Sequence, residues 1–198
     1  ATKVWDEYLF GEDLLVAPVS DETEEREVYF PEGRWISLWN LKEEINGPVR
    51  IRVSVPIDKI PVYIREGSFL PLRLNESLKL GESMSRSETG MILAVVPQKD
   101  GTSEETLYER SGAETYCCVK RNEETIQIRI SGRNAGPYLM IAGVNWKNSE
   151  IIVNGRRLRV VASRDGLYFT EGYVQKENGV LLKINPSAEF VITMQKKK

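Results

Sequence analysis

Val49-Arg50-Ile51-Arg52-Val53-Ser54-Val55 places a β-branched residue at every odd position and a polar one at every even position. Successive side chains of a strand point to opposite faces, so this period of two buries one face and wets the other. Ile126, Ile128 and Ile130 repeat the device against Thr125, Gln127 and Arg129, and Phe190, Ile192 and Met194 repeat it near the end. Ile151-Ile152-Val153 runs into Asn154-Gly155, a pair that accepts the positive φ angles of a two-residue hairpin turn, and Leu158 and Val160 continue the pattern. Leu14 to Val19 is a mostly apolar run, as expected of a strand buried on both faces. No helical apolar stripe is long enough to serve as a crossover. Short strands punctuated by Gly, Asn and Pro predict an all-β chain of two consecutive antiparallel β-sandwiches.

The stretch from Leu74 to Gly90 is polar and Ser/Gly-rich, with apolar runs on both sides. It predicts a boundary between a proximal sandwich over 1–80 and a distal one over 81–198. A length of 198 residues suffices for both. The net charge of −2 gives no general pull toward nucleic acid or anionic lipid. No stretch approaches the ~20 apolar residues of a membrane helix, so neither nucleic acid nor membrane is expected as a partner. The opening Ala1-Thr2-Lys3-Val4-Trp5 has neither an initiator methionine nor the features of a signal peptide, and reads as a cut inside a longer protein or a processed terminus.

Chemistry is sparse. The chain has no histidine, which removes Ser-His-Asp, Cys-His and His-metal arrangements together. Cys117 and Cys118 are adjacent, too close for ordinary disulfide geometry; in an alternating strand one faces inward and the other outward, which suits a reducing compartment or neutral packing, and localisation is not read directly, the cytoplasm being favoured. No cofactor and no metal are expected. A pair of carboxylates is what glycoside hydrolysis requires. However, Glu22, Glu24, Glu25 and Glu27, then Glu104 and Glu105, then Glu123 and Glu124 fall in polar, turn-like segments and read as solvated acids. Trp35, Trp39, Trp146 and Tyr108 could stack on sugar faces if displayed, but read first as core or interface residues with their polar atoms satisfied.

Three ordered motifs identify a family. Phe10-Gly11-Glu12-Asp13-Leu14-Leu15-Val16-Ala17-Pro18-Val19 resembles the F-G-x-x-L-L-V-A-P-V segment of glycoside hydrolase family 31. Arg26-Glu27-Val28-Tyr29-Phe30-Pro31-Glu32-Gly33-Arg34-Trp35 resembles its R-x-V-Y-L-P-x-G-x-W, with Trp39 as the second aromatic. Ile60-Pro61-Val62-Tyr63-Ile64-Arg65-Glu66-Gly67-Ser68-Phe69-Leu70-Pro71-Leu72 is similar to its I-P-L-F-V-R-x-G-S-I-L-P-L. Thr106-Leu107-Tyr108-Glu109 with Gly112 resembles the family's T-L-Y-E-D-D-G, although Arg110-Ser111 replaces the acidic pair, and Val153-Asn154-Gly155 resembles a later strand-turn. Read by themselves, Pro31-Glu32-Gly33 is turn chemistry between two strands, and Gly67-Ser68 lets the chain reverse.

The resemblance implies the region that follows the catalytic (β/α)8 barrel of a retaining α-glucosidase or α-xylosidase. The family's two catalytic aspartates lie in W-x-D-M-x-E-like and H-W-x-G-D-like motifs on that barrel, and neither motif occurs here. No residue of this chain is therefore assigned to catalysis, carbohydrate binding or metal. The expected partners are the barrel of the same enzyme and, through it, the carbohydrate substrate; a homo-oligomer is left open. The alternatives are a free-standing carbohydrate-binding module on Trp35, Trp39 or Trp146, a separate subunit of a split glycosidase, and an unrelated structural module. The first reading predicts an apolar patch on the proximal sandwich where the barrel docks.

Overall fold

The computed structural model describes residues 6–19, 25–54, 56, 58–73, 91–109, 111–132, 137–146, 149–185 and 189–196. The boundary stretch from Leu74 to Gly90 lies outside them. The chain divides into two compact units, Ala1–Glu66 and Gly67–Lys198.

The first unit is one antiparallel sheet made of β1 (Tyr8–Phe10), β2 (Leu14–Val16), β3 (Glu25–Ser37), β4 (Glu44–Ser54) and β5 (Val62–Arg65), in the order β1-β2-β5-β3-β4. The alternation read at 49–54 holds: Val53 is buried, Val49 and Ile51 pack on the core, and Arg50, Arg52 and Ser54 face solvent. Pro31-Glu32-Gly33 does not end a strand as expected. It forms a bulge inside the continuous β3, where the register with β4 shifts between Phe30 and Gly33 and Gly33 adopts φ +121°. Pro31 has no amide to give the ladder, and the one extra residue on β3 bends the strand instead of reversing it. The bend has a large effect. Glu25 to Phe30 pairs with the far half of β4, whereas Trp35 and Ile36 pair with both β4 and β5. One long hairpin thus supplies both layers of a sandwich. Val28, Phe30 and Val53 from one half share a core with Leu15, Trp35, Ile45 and Tyr63 from the other. The Phe30 ring meets Tyr63 edge to face at 4.7 Å, and Trp35 Nε1 donates to the Pro31 carbonyl at 2.9 Å, bracing the bend.

The second unit comprises β6 (Phe69–Arg73), β7 (Met91–Val95), β8 (Gly101–Tyr108), β9 (Glu114–Arg121), β10 (Thr125–Gly132), β11 (Tyr138–Ala142), β12 (Glu150–Val153), β13 (Arg156–Arg157), a single-turn helix α1 (Arg164–Phe169), β14 (Gly172–Lys176), β15 (Gly179–Lys183) and β16 (Glu189–Gln195). They form a six-stranded sheet, β13-β12-β16-β10-β9-β8, and a five-stranded one, β14-β15-β11-β7-β6. All described pairings are antiparallel except β7 with β11. Ile126, Ile128, Ile130, Phe190, Ile192 and Met194 of one sheet pack against Val95, Leu139, Ile141, Val180 and Leu182 of the other, so the alternating stretches line the core as read. The Asn154-Gly155 hairpin forms with φ +48° and +79°. Asn154 also anchors it to β16: its amide donates to the Val191 carbonyl at 2.9 Å, and its Oδ1 accepts from Val191 N at 2.8 Å. Beyond the turn Leu158 is buried, but Val160 is exposed rather than continuing the inward pattern, joined only by a single parallel bridge to Tyr173.

Candidate functional site

Bending one sheet into two layers leaves a seam. Among the described residues no strand pairs the open edge of β3 from Glu25 to Phe30, and the segment entering β1 lies along it. Side chains close the gap. Both oxygens of Glu7 accept from Tyr29 N, at 3.1 and 3.2 Å. Arg26 donates to the carbonyls of Asp6, at 2.8 Å, and of Pro18, and its guanidinium is 2.9 Å from Asp6 Oδ2 and 3.7 Å from Glu7 Oε2. Burial raises the Glu7 carboxyl above its usual range, opposed by the Tyr29 amide and the Arg26 charge. Arg26 and Tyr29 belong to the second sequence motif, so a segment that looks like a surface strand carries the closure of the unit.

A second polar group sits deeper. Arg34, 2% exposed, donates through Nε to Glu66 Oε2 at 3.0 Å and through an Nη to Glu44 Oε2 at 3.4 Å. Glu66 N returns a bond to the Arg34 carbonyl at 2.8 Å. Nearby strand ends are tied by Tyr63 Oη donating to Glu43 Oε1 at 2.8 Å; burial, and then the Glu43 carboxylate, push the phenol far up, so it stays protonated. Arg34 is enclosed, whereas Glu44 and Glu66 are each 27% exposed.

The sheet of the first unit is apolar on both faces. One face carries the core. On the other, the register Ile36↔Ile64↔Leu14↔Phe10 and the flanking row Val62↔Val16↔Tyr8 set bulky side chains side by side across four strands and three. Burial falls along these rows. Ile36 and Ile64 are fully buried, Leu14, Val16 and Val62 half-buried, Tyr8 53% exposed and Phe10 68% exposed. Leu9, at 46%, and Ile60, at 49%, complete the exposed large hydrophobics of this unit among the described residues. The apolar patch expected on the proximal sandwich is therefore present, and it lies on β1.

The acids fall apart as a catalytic set. Glu22 and Glu24 lie outside the described residues. Glu27 pairs with Arg50 at 3.2 Å and Glu25 with Arg52 at 3.8 Å across the β3–β4 ladder. Glu104 and Glu105 are on β8, and Glu123 and Glu124 in the β9–β10 turn, where Glu124 N donates to Asn122 Oδ1. Among the described residues no three Cys, Asp or Glu side chains are grouped to hold a metal ion. Of the aromatics, Trp35 and Trp146 are buried; Lys196 and Arg121 lie over the Trp146 ring. Trp39 is half-buried, its indole N–H bonded to the Ile60 carbonyl at 2.5 Å and its ring beside Lys59 Nζ. Tyr108, 75% exposed, is the one displayed ring of the four.

Cys117 faces the core and Cys118 the surface, both as free thiols. Burial pushes the Cys117 thiol up to about 12, and the Cys118 thiol is raised by burial and by Glu104, whose Oε1 is 3.7 Å from its sulfur. The thiolate is the reactive form. In Glu104→Gln the Cys118 thiolate is favoured, so iodoacetamide labelling at pH 8 should quicken there, whereas Cys117 should label only on unfolding. Equal Cys118 rates in the two proteins would remove Glu104 as a cause.

Together these features define an all-β scaffold with a closed interior, a graded apolar face and no described constellation of catalytic side chains. Residues 1–70 match the glycosyl hydrolase family 31 C-terminal domain. An isomaltosyltransferase from Sporosarcina globispora is 36% identical over 84 residues, 42% of this chain and 8% of that protein. An α-glucosidase from Saccharolobus solfataricus is 38% identical over 81 residues, 41% of this chain and 11% of that protein. The cycloalternan-forming enzyme from Listeria monocytogenes, solved with a pentasaccharide substrate, shares the fold with a TM-score of 0.82 at 24% identity, over 96% of this chain and 19% of that one. The chain thus spans a small part of the relatives it matches. No helix among the described residues is long and apolar enough to cross a membrane.

Proposed function

We propose that this chain braces the catalytic (β/α)8 barrel of a retaining α-glycosidase acting on α-glucosidic or α-xylosidic bonds, and hydrolyses nothing by itself. One observation carries the reading: residues 1–70 match the C-terminal domain of a hydrolase family, while the matched stretch is only 8% and 11% of the two relatives. The chemistry belongs to the remainder of such a protein. Two aspartates of the kind the family uses must flank a bound sugar. Glu25 and Glu27 instead form cross-strand ion pairs with Arg52 and Arg50. The binding-module alternative loses its main support, because Trp35 and Trp146 are core residues.

The test is to assay the 198-residue chain and the full product of its gene on p-nitrophenyl α-glucoside and α-xyloside. The chain should be inactive and the full product active with retention of configuration. Turnover by the chain alone, or a gene that encodes nothing more, would overturn the proposal.

A further inference from the structure

We infer that the outward face of the six-stranded sheet of the second unit, at Tyr108 and Tyr116, is a surface site for a neutral glycan, an α-linked glucan chain. The choice of glucan rests on the function proposed above; the site itself does not. Three observations support it. First, the outward positions of β8, β9 and β10 are Thr, Ser, Cys, Gln, Glu, Lys and Arg, as a wet face requires, except for Tyr108 and Tyr116. The two are 75% and 36% exposed, and the pairs Tyr108↔Glu114 and Thr106↔Tyr116 make them diagonal neighbours on adjacent strands. Such positions lie about 7–8 Å apart, so one short oligosaccharide can touch both rings. The C–H face of a sugar packs on an aromatic ring, and tyrosine adds a polar tip. Second, Tyr116 is held in place. Its hydroxyl bonds to Glu104 across the β8–β9 pair, so its ring is ordered before a ligand arrives. Third, the charges beside the rings suit a neutral polyol. In the rows Tyr108↔Glu114, Thr106↔Tyr116↔Ser131↔Glu189 and Glu104↔Cys118↔Arg129 they are three glutamates and one arginine. The carboxylates accept from sugar hydroxyls, and Arg129, 61% exposed and 3.7 Å from Glu189, donates to them. The excess of carboxylates repels nucleic acid, acidic glycans and anionic lipid.

The face is open at one side, because β8 is the end strand of its sheet. Two rings and a few hydrogen bonds hold a sugar weakly, and weak binding suits such a site. A polymer held through one stretch presents its other units to a catalytic domain of the same polypeptide at a high effective concentration.

Affinity electrophoresis of the 198-residue chain through native gels containing glycogen or dextran tests this. Migration should be slowed in at least one of the two polymers. Tyr108→Ala and Tyr116→Ala should each weaken the retardation several-fold, whereas Tyr116→Phe keeps the ring and should retain most of it. Phe169→Ala removes another exposed ring, on α1 against the other sheet, and should change nothing. Unretarded migration in both polymers overturns the inference, as does retardation that neither alanine substitution weakens. A chain that ignores both glucans but binds oligolysine through Tyr108 and Tyr116 also overturns it, with a basic protein segment as the occupant. An active full gene product whose 198-residue chain is not retarded overturns the site alone. An inactive full product whose chain is retarded overturns the proposed activity and leaves the site standing.

Discussion

Arg34→Met should destabilise the first unit by about 1.5–3 kcal/mol, the range for losing hydrogen bonds to charged groups. The guanidinium is 2% exposed and reaches two carboxylates, Glu66 at 3.0 Å and Glu44 at 3.4 Å. Methionine fills much of the same volume, so the lost packing is small and the cost comes from the Arg34 bonds to Glu66 and Glu44. Arg34→Lys keeps the charge but not the planar fork that serves both partners, and should recover only part of the stability. Adding Glu44→Gln and Glu66→Gln to Arg34→Met removes both carboxylates and should recover part of the loss. Denaturant unfolding followed by tryptophan emission measures all four proteins. A cost below about 1 kcal/mol for Arg34→Met would mean that the ion pairs are as good in water as in the protein.

Gly47→Ala should be at least as damaging, for a steric reason. A Cβ at residue 47 would lie 1.8 Å from the Pro31 carbonyl oxygen and 2.7 Å from that of Phe30. Both obstacles are backbone, and they form the bulge at which β3 bends, so no side-chain rotation relieves the clash. The hairpin must part at its bend, where both layers of the unit meet. We expect a loss of about 4 kcal/mol or more, in the range that marks a specific structural lesion. Gly112→Ala is the comparison. Its φ of +79° strains an alanine, but nothing lies within 4 Å of the added carbon, so the cost should stay near 1–2 kcal/mol, roughly that of the left-handed conformation alone. Equal melting temperatures for the two variants would show that the bend is not rigid.

Both effects concern the feature least legible in the sequence. Strand periodicity at 49–54, 126–130 and 190–194 was readable because one face of each strand is wet and the other dry, and Asn154-Gly155 because few other residue pairs accept its turn. Pro31-Glu32-Gly33 was misleading: the same residues that reverse a chain can also bulge a strand, and only the pairing partner decides which. That partner is Gly47, opposite Gly33 and remote from the motif. Trp35 and Trp146 are core residues as first read, whereas Tyr108 is displayed, because burial depends on the facing layer and not on aromatic spacing. An apolar patch was anticipated on the first sandwich but not located. Tyr8-Leu9-Phe10 shows no alternation, and its meaning emerges only when β2 and β5 are laid beside it. The seam left even less trace, since an arginine, a glutamate and a tyrosine amide become partners only after the sheet has bent.

That bend also bears on the order in which the first unit assembles. Its two layers grow from one hairpin whose strands are joined by a six-residue connection, residues 38–43. Contacts between chain neighbours cost little loop entropy to make and favour rapid folding. The β3–β4 hairpin can therefore form before either end of the unit has arrived, with the crease already in place. β5 and then the β1–β2 ribbon add to its second half, and the Glu7 and Arg26 clasp closes last. In a protein translated from its amino terminus, the incoming chain would wait for β3 to emerge before it could be fastened.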